Sequence, residues 1–155
     1  MRIVLQRVRR AEVRVEQCVE AQIGVGIVLF VGLGRQEGDG LMQNRAWWAV
    51  CDKIWGLRIF PDQRGRFDQD VRQYGGEVLA VPQFTLYGNC RRGRRPAFDD
   101  AAPPEVARSG FATFCTLMEQ RGQGQVQRGV FGAEMDVDLV NWGPVTFWLD
   151  SADFL

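Results

Sequence analysis

Residues 10–16 alternate without a break: Ala11, Val13 and Val15 are apolar, while Arg10, Glu12, Arg14 and Glu16 are charged. A period of two belongs to a β-strand with one face buried and the other in water. The chain must therefore build a sheet with a dry face and supply something apolar to cover it. Two stretches of helical period can do so. Trp47, Cys51, Ile54 and Trp55 follow i, i+4, i+7, i+8 in a helix expected over roughly 40–57, which Asp39 can cap. Ala107, Phe111, Phe114, Cys115 and Met118 repeat that spacing after Pro103 and Pro104, and Gly122 and Gly124 end the second helix. Further strands are expected at 2–8, 22–33, 77–84, about 125–130, 134–140 and 145–150, with a turn-rich stretch from Pro61 to Gly76. The segments 126–132 and 135–140 are expected to pair as a hairpin. The fold class is α+β: a mainly antiparallel sheet or open barrel covered by two amphipathic helices, as a single domain over 1–155.

Composition narrows the chemistry. At 155 residues, with 46% hydrophobic and 25% charged residues, the chain can bury a core without staples. Its longest apolar run, Ile27 to Val31, has strand length and falls far short of the roughly 20 residues that span a bilayer. The start, Met1 to Arg7, reads as structure rather than a targeting signal, so a cytoplasmic protein with no membrane partner is expected. Cys18, Cys51, Cys90 and Cys115 show no CxxC spacing, and Cys51 and Cys115 are expected as buried thiols. The sequence contains no histidine, which excludes a Ser-His-Asp triad, a Cys-His pair and a His-ligated zinc. Neither a metal nor a cofactor is expected. Net charge is zero, so attraction of nucleic acid to the whole molecule is not expected. Yet eighteen of the nineteen basic residues are arginine, and Arg91, Arg92, Arg94 and Arg95 crowd around Gly93. That cluster is either a solvated loop or a set of rigid forks for phosphate.

Several motifs offer chemistry. Gly24 and Gly26 resemble a dinucleotide loop but lead into another strand, so that reading is rejected. Glu134, Asp136 and Asp138, like Asp68 and Asp70, have the spacing of a solvated sheet face more than of a metal site. Thr85 stands where a strand meets a loop. It is there for packing or as a nucleophile, and the only lysine available to activate it is Lys53. Gly143-Pro144 serves either as a turn or, if the bond is cis, as a rigid pair of carbonyl acceptors.

The chain resembles the D-aminoacyl-tRNA deacylase family through a series of segments in order. These are Gln6-Arg7-Val8, the Gly24 and Gly26 pair, and Trp55 to Ile59; then Gln83 to Gly88, Arg92 to Pro96, Phe131-Gly132-Ala133, and Asn141 to Thr146. The resemblance implies a homodimer with its active site at the subunit interface, hydrolysing the ester between a D-amino acid and the 3′ adenosine of tRNA. It implies that Gly143 and Pro144 form a cis chiral filter reaching into the partner's pocket, braced by Arg7. It also implies that glycyl-tRNA mischarged on tRNA-Ala is accepted, since glycine has no side chain to exclude. Gln83, Phe84 and Thr85 become the catalytic segment. Their main-chain N–H groups would face the developing oxyanion, Thr85 would position rather than attack, and the 2′-hydroxyl of the terminal ribose would assist water. Arg91, Arg92, Arg94 and Arg95 become candidate tRNA contacts.

One departure stands out: the family usually has serine where this chain has Pro82. A related branch that removes L-alanine from mischarged tRNA has proline there, followed by Gln-Ala-Thr, with a trans Gly-Pro and no bracing arginine. Phe84, Arg7 and the Asn-x-Gly-Pro-Val-Thr form side with the D-specific branch. Three alternatives remain: relaxed chirality, with action on L-Ala-tRNA; a non-catalytic nucleic-acid-binding module; and a Thr85-dependent hydrolase of another ester.

Overall fold

The computed structural model describes residues 1–37, 41–122 and 124–154. The alternating N-terminal residues form one long strand, β1 (Arg2–Val15), instead of two. Between Val8 and Ala11 it spends one more residue than its partner, a β-bulge that reverses which side chains face in. Ile3 and Leu5 therefore bury on the side the helices cover, whereas Val8, Ala11 and Val13 bury on the opposite side. The phase change at this bulge is what makes residues 2–8 and 10–16 look like separate strands.

Glu16 and Gln17, both at positive φ, turn the chain into β2 (Cys18–Ile23). The strand expected over 22–33 is divided at Gly24 and Val25, and β3 (Gly26–Gly32) returns along the first half of β1. Gly26 permits a close approach, since a Cβ there would sit 2.0 Å from the carbonyl oxygen of Glu77. Asp39, the expected helix cap, lies outside the described residues. The cap observed is Asn44, whose side chain accepts from the Ala46 N–H at 3.0 Å, ahead of α1 (Arg45–Gly56). A short hairpin, β4 (Phe60–Pro61) with β5 (Phe67–Gln69), lies within the turn-rich stretch.

Two parallel pairings follow: β6 (Glu77–Pro82) on β3, and β7 (Val126–Arg128) on β6. Between β6 and β7 runs α2 (Pro104–Gly122), beginning and ending where its prolines and glycines direct. The expected hairpin of 126–132 with 135–140 does not form. Instead β8 (Asp136–Asp150) runs antiparallel along nearly all of β1. Nearness in sequence suggested the hairpin; burial of Met135, Val137 and Leu139 against the β1–β2 side favours the distant partner. Asp136 and Asp138 face water, and Asp138 pairs with Arg10 at 2.8 Å.

The result is an α+β domain whose mainly antiparallel sheet is nearly closed, because β2 folds back to pack against β6 and β7. One core lies between the sheet and the two helices, with Trp47, Phe60, Phe114, Leu117 and Met118 fully buried. The second lies inside the curl. Cys51 and Cys115 are buried, and burial pushes each thiol up to about 12. Among the described residues no helix is long and apolar enough to cross a membrane.

Candidate active site

The Asn141–Thr146 segment departs from the sheet for a reason visible in the register. Gln6 pairs with Thr146 and Val8 with Asn141, so β8 spends five steps where β1 spends two. The surplus lifts Gly143 and Pro144 into solvent, joined by a cis peptide bond. Arg7 stands opposite the gap, only 5% exposed. Its Nε donates to the Trp142 carbonyl at 3.0 Å, and its Nη1 donates to the Ile59 carbonyl. The guanidinium also lies 4.2 Å from the centroid of the Trp142 ring, over its face. Burial, reinforced by the nearby charge of Arg9, draws its pKa down from the usual arginine value, with Tyr74 opposing.

Asn141 closes the excursion from the other side. Its side chain accepts from the Val145 N–H at 3.0 Å and donates to the Thr146 hydroxyl at 2.9 Å. Below Trp142, Phe60 and Tyr74 stack at 4.9 Å between centroids, and Trp142 meets the pair edge-on. Gly143 has a φ of +132°, where L side chains are strained, and a Cβ there would lie 2.7 Å from Val145 Cγ2 and 2.9 Å from Arg7 Nη2. The excursion is thus packed from behind by groups that cannot easily give way.

Phe84 and Thr85 open a single helical turn after β6, spanning Phe84–Tyr87, with Gln83 at its N-cap. The turn rests on a glycine floor. A Cβ at Gly32 would meet the Gln83 carbonyl at 2.8 Å, and one at Gly34 would meet the Tyr87 ring at 2.6 Å. The three residues do not contribute equally. The Gln83 N–H is committed to the Val31 carbonyl at 2.8 Å, so it cannot face an oxyanion as expected from the resemblance. The N–H groups of Phe84 and Thr85 stand at the start of the turn, where a helix leaves its donors unmatched. The Thr85 hydroxyl accepts from the Gln83 side-chain amide.

One residue holding this turn escaped the sequence reading. Arg2 donates from Nη1 to the Leu86 carbonyl at 3.1 Å, pairs with Asp150 at 3.3 Å, and lies 4.3 Å from the centroid of the Tyr87 ring. Tyr87 is raised to about 12 by burial, then by Asp150 and Glu37, against the influence of Arg2. Arg2 carried no distinguishing signal, since it reads as one polar residue in a strand.

A cavity of about 480 Å³ opens beside the turn. Pro82, Gln83 and Phe84 form one wall, Phe131, Gly132 and Ala133 another, and Ala107 and Phe111 of α2 close the end. Gln83 and Phe84 are thereby brought together with the Phe131–Ala133 segment. Gly143, Pro144 and Arg7 do not line this cavity, nor do Arg91, Arg92, Arg94 and Arg95, which lie exposed on a separate loop.

The family model described as D-Tyr-tRNA(Tyr) deacylase matches residues 4–150, a span that includes both site segments. The chain belongs to this deacylase family. With it the chain belongs to the hydrolases. Among its relatives is the D-aminoacyl-tRNA deacylase of Nitratidesulfovibrio vulgaris, 49% identical over 153 residues, covering 99% of this chain and 94% of that protein. The D-aminoacyl-tRNA deacylase of Solidesulfovibrio magneticus is also 49% identical, over 156 residues covering 99% and 97%. Among solved structures, the deacylase fold seen here matches a c-Myc DNA unwinding element binding protein with a TM-score of 0.84. The two are 33% identical over 97% of this chain and 98% of that one.

Proposed function

We propose that this protein hydrolyses the ester bond of D-aminoacyl-tRNA, releasing free D-amino acid and tRNA in the cytoplasm. The observation that carries the reading is the Gly143–Pro144 excursion, pinned from beneath by the buried Arg7 in a chain of this family. In this reading the main-chain oxygens of the excursion form a wall. An L-residue would drive its side chain into it, and a D-residue turns its side chain away. Excluding L by a thousandfold needs about 4 kcal/mol, within reach of one rigid clash. Glycine presents no side chain, so glycyl-tRNA mischarged on tRNA-Ala passes the same wall.

The excursion does not line its own chain's cavity, which supports a homodimer in which each subunit's filter completes the other's pocket. Among the described residues β8 pairs only with β1, and Val140, Phe147 and Trp148 stand exposed along it, a sheet edge suited to a second copy. Chemistry rests on main-chain donors. The Phe84 and Thr85 N–H groups stabilise the oxyanion, Thr85 positions rather than attacks, and the substrate's 2′-hydroxyl assists water. The Arg91–Arg95 loop meets tRNA phosphate.

Incubating the purified protein with D-Tyr-tRNA and L-Tyr-tRNA tests the reading. Hydrolysis confined to the D-isomer is expected; equal hydrolysis of both, or none of either, refutes it. A second reading takes its support from the name of the 33%-identical neighbour: a nucleic-acid-binding module without catalysis. It requires tight, salt-dependent binding of uncharged nucleic acid and no turnover of either substrate.

A further inference from the structure

Two aromatic rings near the cavity are exposed without an evident reason in the fold. Phe84, at its mouth, is 55% exposed and Phe98 is 37% exposed, with their centroids 4.9 Å apart and planes inclined at 56°. The turn that carries Phe84 and the Phe98 ring are held from below. The Gly88 N–H donates to the Thr85 carbonyl at 2.8 Å, and the Phe98 ring packs so close that a Cβ on Gly88 would lie 3.1 Å from it. The Ala101 N–H then ties back to the Phe98 carbonyl at 3.0 Å.

The same base carries the arginine loop. Asn89 and Ala97 exchange two main-chain hydrogen bonds, of 2.7 and 3.0 Å, and so fasten the loop beside the ring pair. Between them stand Arg91, Arg92, Arg94 and Arg95, all exposed and with no carboxylate in the segment; Asp99 and Asp100 follow at once and confine the basic patch to the loop. Fixed aromatic faces beside clustered guanidinium groups are what unpaired nucleotides require, one for the bases and the other for the phosphates.

We propose that Phe84 and Phe98 form a stacking platform for an unpaired base of the single-stranded 3′ end of an RNA, with the Arg91–Arg95 loop holding the flanking phosphates. The proposal rests on the deacylase reading for the identity of that RNA. The base seated here lies outside the cavity, upstream of the nucleotide that bears the ester.

Fluorescence anisotropy with an uncharged acceptor-stem minihelix tests it, comparing a single-stranded ACCA end with the same stem cut blunt. Phe98→Ala should weaken binding of the ACCA-ended stem about tenfold and leave the blunt stem unchanged, while Phe98→Trp keeps the wild-type preference. Equal weakening for both stems, or for neither, overturns the platform, as does loss of the preference in Phe98→Trp when its circular dichroism is native. The stacked ring could also come from the amino acid, so kcat/KM of Phe98→Ala is measured on D-Tyr-tRNA and D-Ala-tRNA. A common fold-loss supports a base; a loss confined to D-Tyr-tRNA overturns it. Because the binding probe is uncharged, failure of the wild type to hydrolyse D-aminoacyl-tRNA refutes the deacylase reading without erasing the stem preference.

Discussion

The Asn141–Thr146 excursion and the Arg91–Arg95 loop are both exposed, and each turns on a glycine at positive φ, +132° at Gly143 and +67° at Gly93. Their surroundings differ completely. A Cβ on Gly143 would strike Val145 and Arg7, whereas one on Gly93 would meet nothing within 4 Å. The first is held by a buried guanidinium, an asparagine and a cluster of three aromatic rings. The second is fastened at its base by the Asn89–Ala97 pair and by the Arg91 N–H, which donates to the Asn89 side chain at 3.0 Å. A surface that must reject a mirror image by shape has to be unyielding. A surface that attracts a charged chain can stay loose, because Coulombic attraction tolerates small displacements. In the function proposed above, these tasks fall to two different glycine turns.

That division can be broken most directly at the glycines. Gly143→Ala should cut deacylation of D-Tyr-tRNA about a hundredfold, the scale of an ångström of misplacement at a reacting centre. A single-turnover assay, with circular dichroism to verify folding, reads the effect. If the variant keeps wild-type turnover, the excursion is not the rigid wall described. Arg7→Lys comes next. Lysine cannot fork to both the Trp142 and Ile59 carbonyls, and leaving one buried acceptor unpaired costs about 1–3 kcal/mol. Urea denaturation should record that loss, together with a fall of about tenfold in turnover. Unchanged stability would mean that the bracing is dispensable. The loop should respond more mildly. Replacing Arg92 and Arg94 by alanine should raise KM several-fold with little change in kcat. It should also flatten the salt dependence of binding, lowering the slope of log K against log salt by about one for each phosphate the loop no longer neutralises. A fall in kcat matching that of Gly143→Ala would erase the distinction between the two turns. Gly93→Ala, the smallest change, should alter turnover by less than about twofold, since only local backbone strain of about 1–2 kcal/mol opposes it.

Local pattern was the legible part of this molecule. The helix faces of Trp47, Cys51, Ile54 and Trp55, and of Ala107 to Met118, are buried as their spacing requires, because amphipathic period is written within a dozen residues. Pairing was less legible. Nothing near Met135 to Val140 announces a partner more than 120 residues earlier, so β8 was matched to its sequence neighbour instead of β1. The bulge near Arg9 and Arg10 was hidden for a related reason, since a phase change looks like a strand end. At the site, the segments themselves were visible through their glycines and prolines. Hydrogen-bond allegiance was not. The commitment of the Gln83 N–H to Val31, and the reach of Arg2 to Leu86, depend on contacts across the sheet that composition does not encode.

The register on either side of the excursion has one more implication. Gln6–Thr146 and Val8–Asn141 are zipped on both flanks, so the length of the intervening arch is gauged by the sheet itself. Deleting a single residue there would either draw the arch down while both flanking pairs hold, displacing Gly143 and Pro144, or make everything from Thr146 to Asp150 slip by one position and turn its inward side chains outward. Evolution can repaint this arch residue by residue, but can hardly trim it.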